Sequence, residues 1–93
     1  MSYTLIDGVA RNKEHPNTFK IPTDVMKAAV QPGDYVKIGF TEDNESSERM
    51  WVMVTKRNGD EFEGTLDNDP AFLTSIKWND VVKFNARHII NLP

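Results

Sequence analysis

Residues 50–66 have the sequence MWVMVTKRNGDEFEGTL, in which two apolar-rich runs flank Asn58-Gly59. An Asn-Gly pair between such runs is the strongest short-range sequence signal for a β-hairpin. Successive side chains of a strand point to opposite faces of the sheet. The stretch therefore predicts two antiparallel strands, each with one face turned toward a core.

The register of this hairpin decides which residues are buried, because a slip by one residue exchanges the two faces. A two-residue loop would pair Trp51 with Leu66. A three-residue loop, with Gly59 in the left-handed conformation, would pair Met50 with Leu66 instead. We favour the second register, which leaves Trp51 and Met53 on the outer face. It sends three apolar residues of the first strand to the core, namely Met50, Val52 and Val54.

The chain before the hairpin predicts less regular structure. Residues 3–10 are consistent with a short strand or an ordered arm, and residues 11–18 with a loop. A short helix is predicted over residues 22–30, because Thr23 or Asp24 can cap its first amides and a Pro-Gly pair ends it.

Two further strands are predicted from alternating apolar residues, at 35–40 and at 81–85. Between the first of these and the hairpin, residues 41–48 contain four acids and no apolar residue. Such a composition predicts a mobile, solvated loop.

These elements predict a single domain over residues 1–93, of the α+β class and mainly antiparallel β. An N-terminal arm or strand and loop (1–20) precede one short helix (22–30) and a β-sheet core (35–92). With four or five short strands, the core forms an open sheet or an SH3-like, partly open barrel.

The absence of cysteine excludes thiolate zinc sites and cysteine nucleophiles. A secreted domain of 93 residues would usually carry disulfides or a metal, so we expect a cytoplasmic location. No apolar stretch is long enough to span a bilayer, and the first ten residues lack the pattern of a secretory signal. We therefore expect no membrane association.

The charge balance disfavours nucleic-acid binding, since the net charge is −3 and the isoelectric point is near 5.2. Eleven Lys and Arg residues are scattered among fourteen acids. The only adjacent basic pair, Lys56-Arg57, borders the predicted hairpin turn, and we interpret it as part of a solvated hairpin tip.

The sequence contains no assembled catalytic or metal-binding motif. His15 and His88 are the only histidines, and neither belongs to a short ligand motif. Asp67, Asn68 and Asp69 lack the spacing of a calcium-binding loop. No serine lies in a nucleophile elbow, and the glycines occur singly. We expect no catalytic residue, metal or cofactor, with a hydrolase that uses His88 or His15 with Asp67 as a minor alternative.

A second group of residues is typical of binding surfaces. Trp and Arg most often anchor interaction hot spots, and the favoured register places Trp51 off the core face with Arg49 beside it. The candidate binding residues are Arg49, Trp51, Asn68, Asp67, Lys37, His88 and His15. In the alternative interpretation, Trp51 plugs one open end of the barrel and Asn68 only ties a turn to its neighbours.

Six short motifs lie between residues 10 and 92. They are His15-Pro16-x-Thr18-Phe19-x-Ile21-Pro22, Pro32-Gly33-Asp34-x-Val36-Lys37, Glu48-Arg49-Met50-Trp51-Val52, Gly64-x-Leu66-Asp67-Asn68-Asp69-Pro70, Val82-x-Phe84 and His88-Ile89. Together they resemble a family of small bacterial and phage domains of unknown function. The resemblance implies a small α+β domain and no particular reaction. Asn79-Asp80 departs from the Gly-Asp turn of that family, but asparagine also tolerates the left-handed conformation.

The leading functional hypothesis is a non-catalytic module that binds a partner protein, in an inhibitor, immunity-type or accessory role. The alternative is a domain that binds a nucleotide or another small anion through Arg49, Lys37, Asn68 and a stacking Trp51. Formation of a homodimer is a further hypothesis, because a partly open barrel leaves unpaired strand edges that can pair across a two-fold axis.

Overall fold

The computed structural model describes residues 2–43 and 46–93. In chain order its elements are β1 (Tyr3–Leu5), α1 (Gly8–Glu14), α2 (Asp24–Ala28), β2 (Tyr35–Glu42), β3 (Ser46–Asn58), β4 (Glu61–Leu66), β5 (Val81–Asn85), a 3-10 turn (Ala86–His88) and β6 (Ile89–Asn91). Within the described residues, no helix has the length and apolar character needed to cross a lipid bilayer.

The described strands form one antiparallel sheet with the order β1-β2-β3-β4-β5, and β6 also pairs with β2. The sheet curls into a half-barrel, which confirms the predicted α+β fold with a mainly antiparallel sheet. Six strands are described where four or five were predicted. The difference comes from β1 and β6, which are three residues each and share one edge of β2.

The hydrophobic core lies on the inner face of the sheet. Val36, Ile38 and Phe40 of β2 are completely buried there. The neighbouring strands add Met50, Val52, Val54, Phe62, Leu66, Val82, Phe84 and Ile89. Leu73 and Ile76, from the connection between β4 and β5, pack into the same core.

The β3–β4 hairpin has the predicted faces but a different register. Val52, rather than Met50, lies opposite Leu66, so the predicted pairing is wrong by two residues. The ladder also has an irregularity at Thr55, between Val54 and Lys56, and the strands stay paired up to Asn58 opposite Glu61. Gly59 has the expected positive φ of 63°. Side chains alternate with a period of two, so a shift of two residues keeps Trp51 on the outer face.

The prediction of a mobile loop over residues 41–48 is wrong for the part that the structure describes. β2 extends to Glu42 and β3 begins at Ser46, whereas residues 44 and 45 lie outside the described residues. Glu42 is only 7% exposed, and Glu48 is half-buried. Charged side chains are expected to be hydrated, but these two carboxylates accept hydrogen bonds from backbone N–H groups of a distant segment instead.

Two carboxylates hold the connection between β4 and β5 against the sheet, and we call this contact the carboxylate latch. Glu48 accepts hydrogen bonds of 2.8, 2.8 and 2.9 Å from the backbone N–H groups of residues 71, 72 and 73. Glu42 accepts bonds of 3.1 and 2.7 Å from the N–H groups of Thr74 and Ser75. Backbone amides that would otherwise be unpaired in this irregular segment therefore have charged acceptors.

The latch also lowers the pKa of both carboxyl groups. The buried Ser75 hydroxyl beside Glu42 lowers its pKa most, and the N–H donors of Ser75 and Thr74 add to this against the effect of burial. Burial raises the pKa of Glu48, but its three N–H donors outweigh burial and bring the value below the ordinary one. Both groups are thus held in the ionised form that accepts hydrogen bonds.

The N-terminal region differs from its prediction, because part of the loop expected at 11–18 belongs to helix α1. Asp7 caps this helix by accepting a hydrogen bond of 3.0 Å from the Ala10 N–H. Gly8 begins it and lies so close to Ile90 that an added Cβ would be 2.9 Å from the Ile90 side chain. A seven-residue helix is marginal on its own, so packing onto β6 accounts for it better than local propensity does.

Helix α2 occupies the predicted region, and Thr23 caps it by accepting a hydrogen bond of 3.2 Å from the Met26 N–H.

The contacts of Arg57 show that the interpretation of Lys56-Arg57 as part of a solvated hairpin tip is wrong for Arg57. Its Nη1 donates to the carbonyl oxygens of three residues at the end of α2, at 2.7 to 3.1 Å, namely Lys27, Ala28 and Val30. Arg57 therefore fixes α2 to the hairpin, because a guanidinium can satisfy several carbonyls at once.

Candidate functional site

The N-terminal region covers one end of the outer face of the sheet. Ile6 packs over Gly39 of β2, where an added Cβ would lie 2.6 Å from the Ile6 side chain. On the neighbouring strand, the Arg49 guanidinium lies 5.1 Å from the ring centre of Phe19. The N-terminal region thus occupies the outer face around Gly39 and Arg49. The face beyond them, toward the start of β2, carries the side chains described next.

Trp51 and Lys37 are directly opposite each other on β3 and β2. The Lys37 ammonium lies 4.7 Å from the centre of the Trp51 ring, within the range of a cation–π contact. Trp51 is half-buried on this outer face and is not part of the core. The expectation that it lies off the core is confirmed.

Asp67 and Asn68 extend the pairing of β3 beyond the end of β4. The Asp67 N–H donates to the Trp51 carbonyl at 2.9 Å, and the Asn68 Oδ1 accepts from the Trp51 N–H at 2.7 Å. The Trp78 Nε1–H donates to the Asp67 carboxylate at 3.4 Å. These contacts hold the backbone of Trp51 in place and bring the exposed ring of Trp78 to the same edge.

A row of side chains crosses the open part of the outer face. Tyr35 lies opposite Met53, Met53 opposite Thr65, and Thr65 opposite Val81. Tyr35 and Val81 are 39% and 59% exposed, although both are large and apolar. We define the outer-face patch as Tyr35, Lys37, Trp51, Met53, Trp78 and Val81.

The structure brings four of the seven predicted binding residues together, since Lys37, Asp67 and Asn68 all contact Trp51 or its backbone. Arg49 lies on the same face, two positions along β3, and is packed on the Phe19 ring. His15 ends α1 and is exposed, and its carbonyl accepts a hydrogen bond of 2.9 Å from the Phe19 N–H. Phe19 thus connects the backbone of His15 with the Arg49 guanidinium.

His88 occupies a different environment in the 3-10 turn. Its Nδ1 accepts a hydrogen bond of 2.9 Å from the Asn85 N–H, and the Asn85 side chain accepts from the Arg87 N–H in return. Burial lowers the pKa of His88, and the positive charge of Arg87 lowers it further. Among the described residues, none of the other six predicted binding residues contacts its ring. The imidazole acts here as a neutral cap of a tight turn.

Tyr35 and Val81 belong to the patch but were not predicted as binding residues. The alternation that buries Val36 and Val82 places both of them on the outer face, and that signal was available in the sequence. Their meeting in one row depends on the pairing of four strands, which local patterns do not specify. Trp78 is 57% exposed at the edge of this row.

The chemistry of the outer-face patch suits contact more than reaction. It offers two indole rings, a phenol ring, two aliphatic side chains and one ammonium group on a paired sheet. Within the described part of the chain, no three His, Cys, Asp or Glu side chains are close enough together to hold a metal ion. The patch is therefore mainly apolar and aromatic, with a few polar atoms at its edges.

The comparison with protein families gives one match, and it covers most of the chain. Residues 8–91 match the family model described as "Uncharacterized protein conserved in bacteria (DUF2314)". No curated protein and no solved structure matches the chain. The matched range contains both helices and all the strands except β1. This chain therefore belongs to the uncharacterised bacterial protein family DUF2314.

Proposed function

We propose that this domain is a non-catalytic protein-binding module that docks its partner on the outer-face patch. The observation that carries the proposal is the row from Tyr35 to Val81, whose two ends are exposed, with the exposed Trp78 and the half-buried Trp51 beside it. Trp and Tyr bury a large area at a small cost in side-chain entropy, and they are enriched in interaction hot spots. Contiguous exposed apolar surface of this kind usually marks a binding site.

The patch is supported by a rigid base. Trp51 is flanked by paired strands, and Asp67 and Asn68 hydrogen-bond both backbone polar groups of Trp51. A preorganised surface loses less conformational entropy when a partner binds. Asn68 thus acts on the surface by positioning Trp51, in keeping with the interpretation that it ties the turn to its neighbours.

The partner that best fits this surface presents an apolar area bordered by basic groups. The chain has a net charge of −3, and the Asp67 carboxylate lies at the edge of the patch, where it accepts a hydrogen bond from Trp78. Opposite charge around an apolar contact increases the association rate and selects the partner. A cytoplasmic location and an inhibitory or accessory role go with this proposal.

Protein docking is favoured over binding of an anion at the same residues. Lys37 is engaged with the Trp51 ring, Arg49 with the Phe19 ring, and the Asn68 Oδ1 with the Trp51 N–H. An anion at this place would have to compete with these contacts for its donors.

The test compares two equally exposed aromatic residues in affinity capture from bacterial lysate. Trp78 and Phe72 are each 57% exposed, but only Trp78 lies in the patch. A true partner is retained by the wild type and by Phe72→Ala, and it is lost with Trp78→Ala and Trp51→Ala. With the partner purified, each patch variant is expected to weaken binding by about 2 kcal/mol or more, measured by calorimetry.

Circular dichroism and thermal unfolding establish that each variant is folded before binding is compared. Equal binding by folded Trp78→Ala, Trp51→Ala and wild type would contradict the assignment of the patch. Capture of no protein, together with a monomer in analytical ultracentrifugation, would contradict the docking function itself.

A further inference from the structure

A cavity of about 330 Å³ lies away from the outer-face patch, between α2, the β3–β4 turn and the 3-10 turn. Its volume is at the lower end of the range for small-molecule sites. Three basic side chains from three separate segments line it, namely Lys27, Arg57 and Arg87. Asp24, Asp60 and Asn85 complete the polar part of its wall.

Lys27 gives the strongest indication that this cavity has a ligand. The residue is only 5% exposed, yet within residues 2–43 and 46–93 its ammonium has no hydrogen bond and no ion pair. The stem of Lys27 is enclosed, but its Nζ still contacts solvent, because the Ser75 Oγ is the one unpartnered buried side-chain N or O atom among the described residues. A charge largely surrounded by protein attracts a counter-charge more strongly than a fully hydrated one does. An anion in the cavity would provide the missing counter-charge.

Arg57 adds a donor that is already held in place. Its Nε donates to the Gly59 carbonyl at 2.9 Å, and its Nη1 donates to the carbonyls at the end of α2. Its guanidinium carbon lies 4.7 Å from the centre of the Phe62 ring. Its Nη2 has no acceptor among the described residues. Arg87, half-exposed at the rim, has its Nε 3.7 Å from Asp7 and keeps its terminal nitrogens available.

We propose that this cavity binds a small molecule with a phosphate or carboxylate group, which Lys27, Arg57 and Arg87 hold. The three basic groups exceed the two acidic groups by one positive charge, which suits an anionic ligand. The two acidic groups suit a ligand that also carries hydroxyl or amino groups. Asp24 and Asp60 accept hydrogen bonds from those groups. The site shares no residue with the outer-face patch, so it is independent of the proposed docking function.

The test titrates inorganic phosphate, and separately acetate, into the ¹⁵N-labelled full chain while amide NMR signals are followed. Chloride at equal ionic strength is the reference, because nonspecific screening acts on all exposed charges. We expect saturable shifts at Lys27, Arg57 and residues 85–87. Stronger binding of phosphate identifies a phosphate ligand, and stronger binding of acetate a carboxylate ligand.

Lys27→Met keeps the buried stem but removes the charge, and Lys20→Met removes the same charge from an exposed position. We expect Lys27→Met to weaken binding roughly tenfold or more, since a charge-assisted hydrogen bond is lost. Lys20→Met should leave binding unchanged. Arg87→Gln, at the half-exposed rim, provides a second variant that does not depend on tolerance of the buried position.

Shifts that do not saturate, or that are equal in wild type, Lys27→Met and Arg87→Gln, would overturn the proposal. Shifts of equal size for chloride would do the same. Loss of docking in the Trp78→Ala variant leaves this result unaffected, so the two proposals can fail separately.

Discussion

At the scale of single residues, Arg57 joins parts of the chain that are far apart in sequence. Its Nη1 meets the carbonyls of Lys27, Ala28 and Val30, about thirty positions earlier, while its plane covers Phe62. A lysine at this position could not make the planar contact and the three carbonyl contacts together.

We therefore expect Arg57→Lys to lower the free energy of unfolding by about 1–3 kcal/mol, because hydrogen bonds of a charged donor are lost. The midpoint of urea unfolding measures this, with an unchanged denaturant slope. Lys56→Gln is the control, since Lys56 is exposed and its 3.9 Å ion pair with Glu63 contributes little. A stable Arg57→Lys variant would show that the carbonyl contacts are unimportant.

At the scale of elements, the carboxylate latch organises the connection between β4 and β5. This irregular segment inserts Leu73 and Ile76 into the core, while its backbone N–H groups at residues 71–75 bind Glu48 and Glu42. A segment without its own ladder depends on such side-chain acceptors to stay folded.

Replacing Glu48 by Gln places an amide donor against backbone donors and removes the charge. We expect hydrogen exchange at the N–H groups of residues 71–73 to accelerate roughly tenfold or more, since local opening becomes easier. The amides of the β2–β3 ladder should keep their protection. Glu14→Gln, an exposed substitution on α1, is the matched control. Unchanged exchange at residues 71–73 in Glu48→Gln would show that Glu48 does not hold this segment in place.

At the scale of the whole molecule, ionisable groups set the dependence of stability on pH. The pKa values of Glu42, Glu48 and His88 are lowered on folding, and the side-chain contact with Lys77 lowers that of Asp80. All four groups therefore release protons more readily when folded, so stability rises with pH. The His88 contribution is complete above its ordinary pKa of 6.5 and is lost as the pH falls through its lower folded value. The glutamate contributions are lost below about 4.5 in the same way.

We expect the urea midpoint to fall in two stages as the pH is lowered, the first below about 6.5 and the second below about 4.5. His88→Gln should remove the upper stage and leave the lower stage in place. His15→Gln changes an exposed histidine and should keep both stages. An upper stage that persists in His88→Gln would show that another group causes it.

Much of the fold could be predicted from local patterns. The faces of β3 and β4, the left-handed Gly59, the Thr23 cap and the turn at Asn79, whose φ is 71°, all follow from neighbouring residues. The candidate site was predictable in part, since Trp51 and Lys37 alternate onto the outer face of their strands. Their contact, and the role of Asn68 as an acceptor for the Trp51 N–H, required the pairing of distant segments.

Local patterns were enough to predict the fold class, the inner and outer faces of the strands and the capped turns, because these depend on residues one to four positions apart. Long-range contacts set the hairpin register, helix α1, the carboxylate latch and the meeting of Lys27, Arg57 and Arg87. Each of these is a contact across many residues, whose free energy depends on how the sheet curls and on what packs against it. The alternation of side chains along a strand does not reveal such long-range partners. A charged residue that is expected to be solvated can therefore accept internal hydrogen bonds or line a cavity.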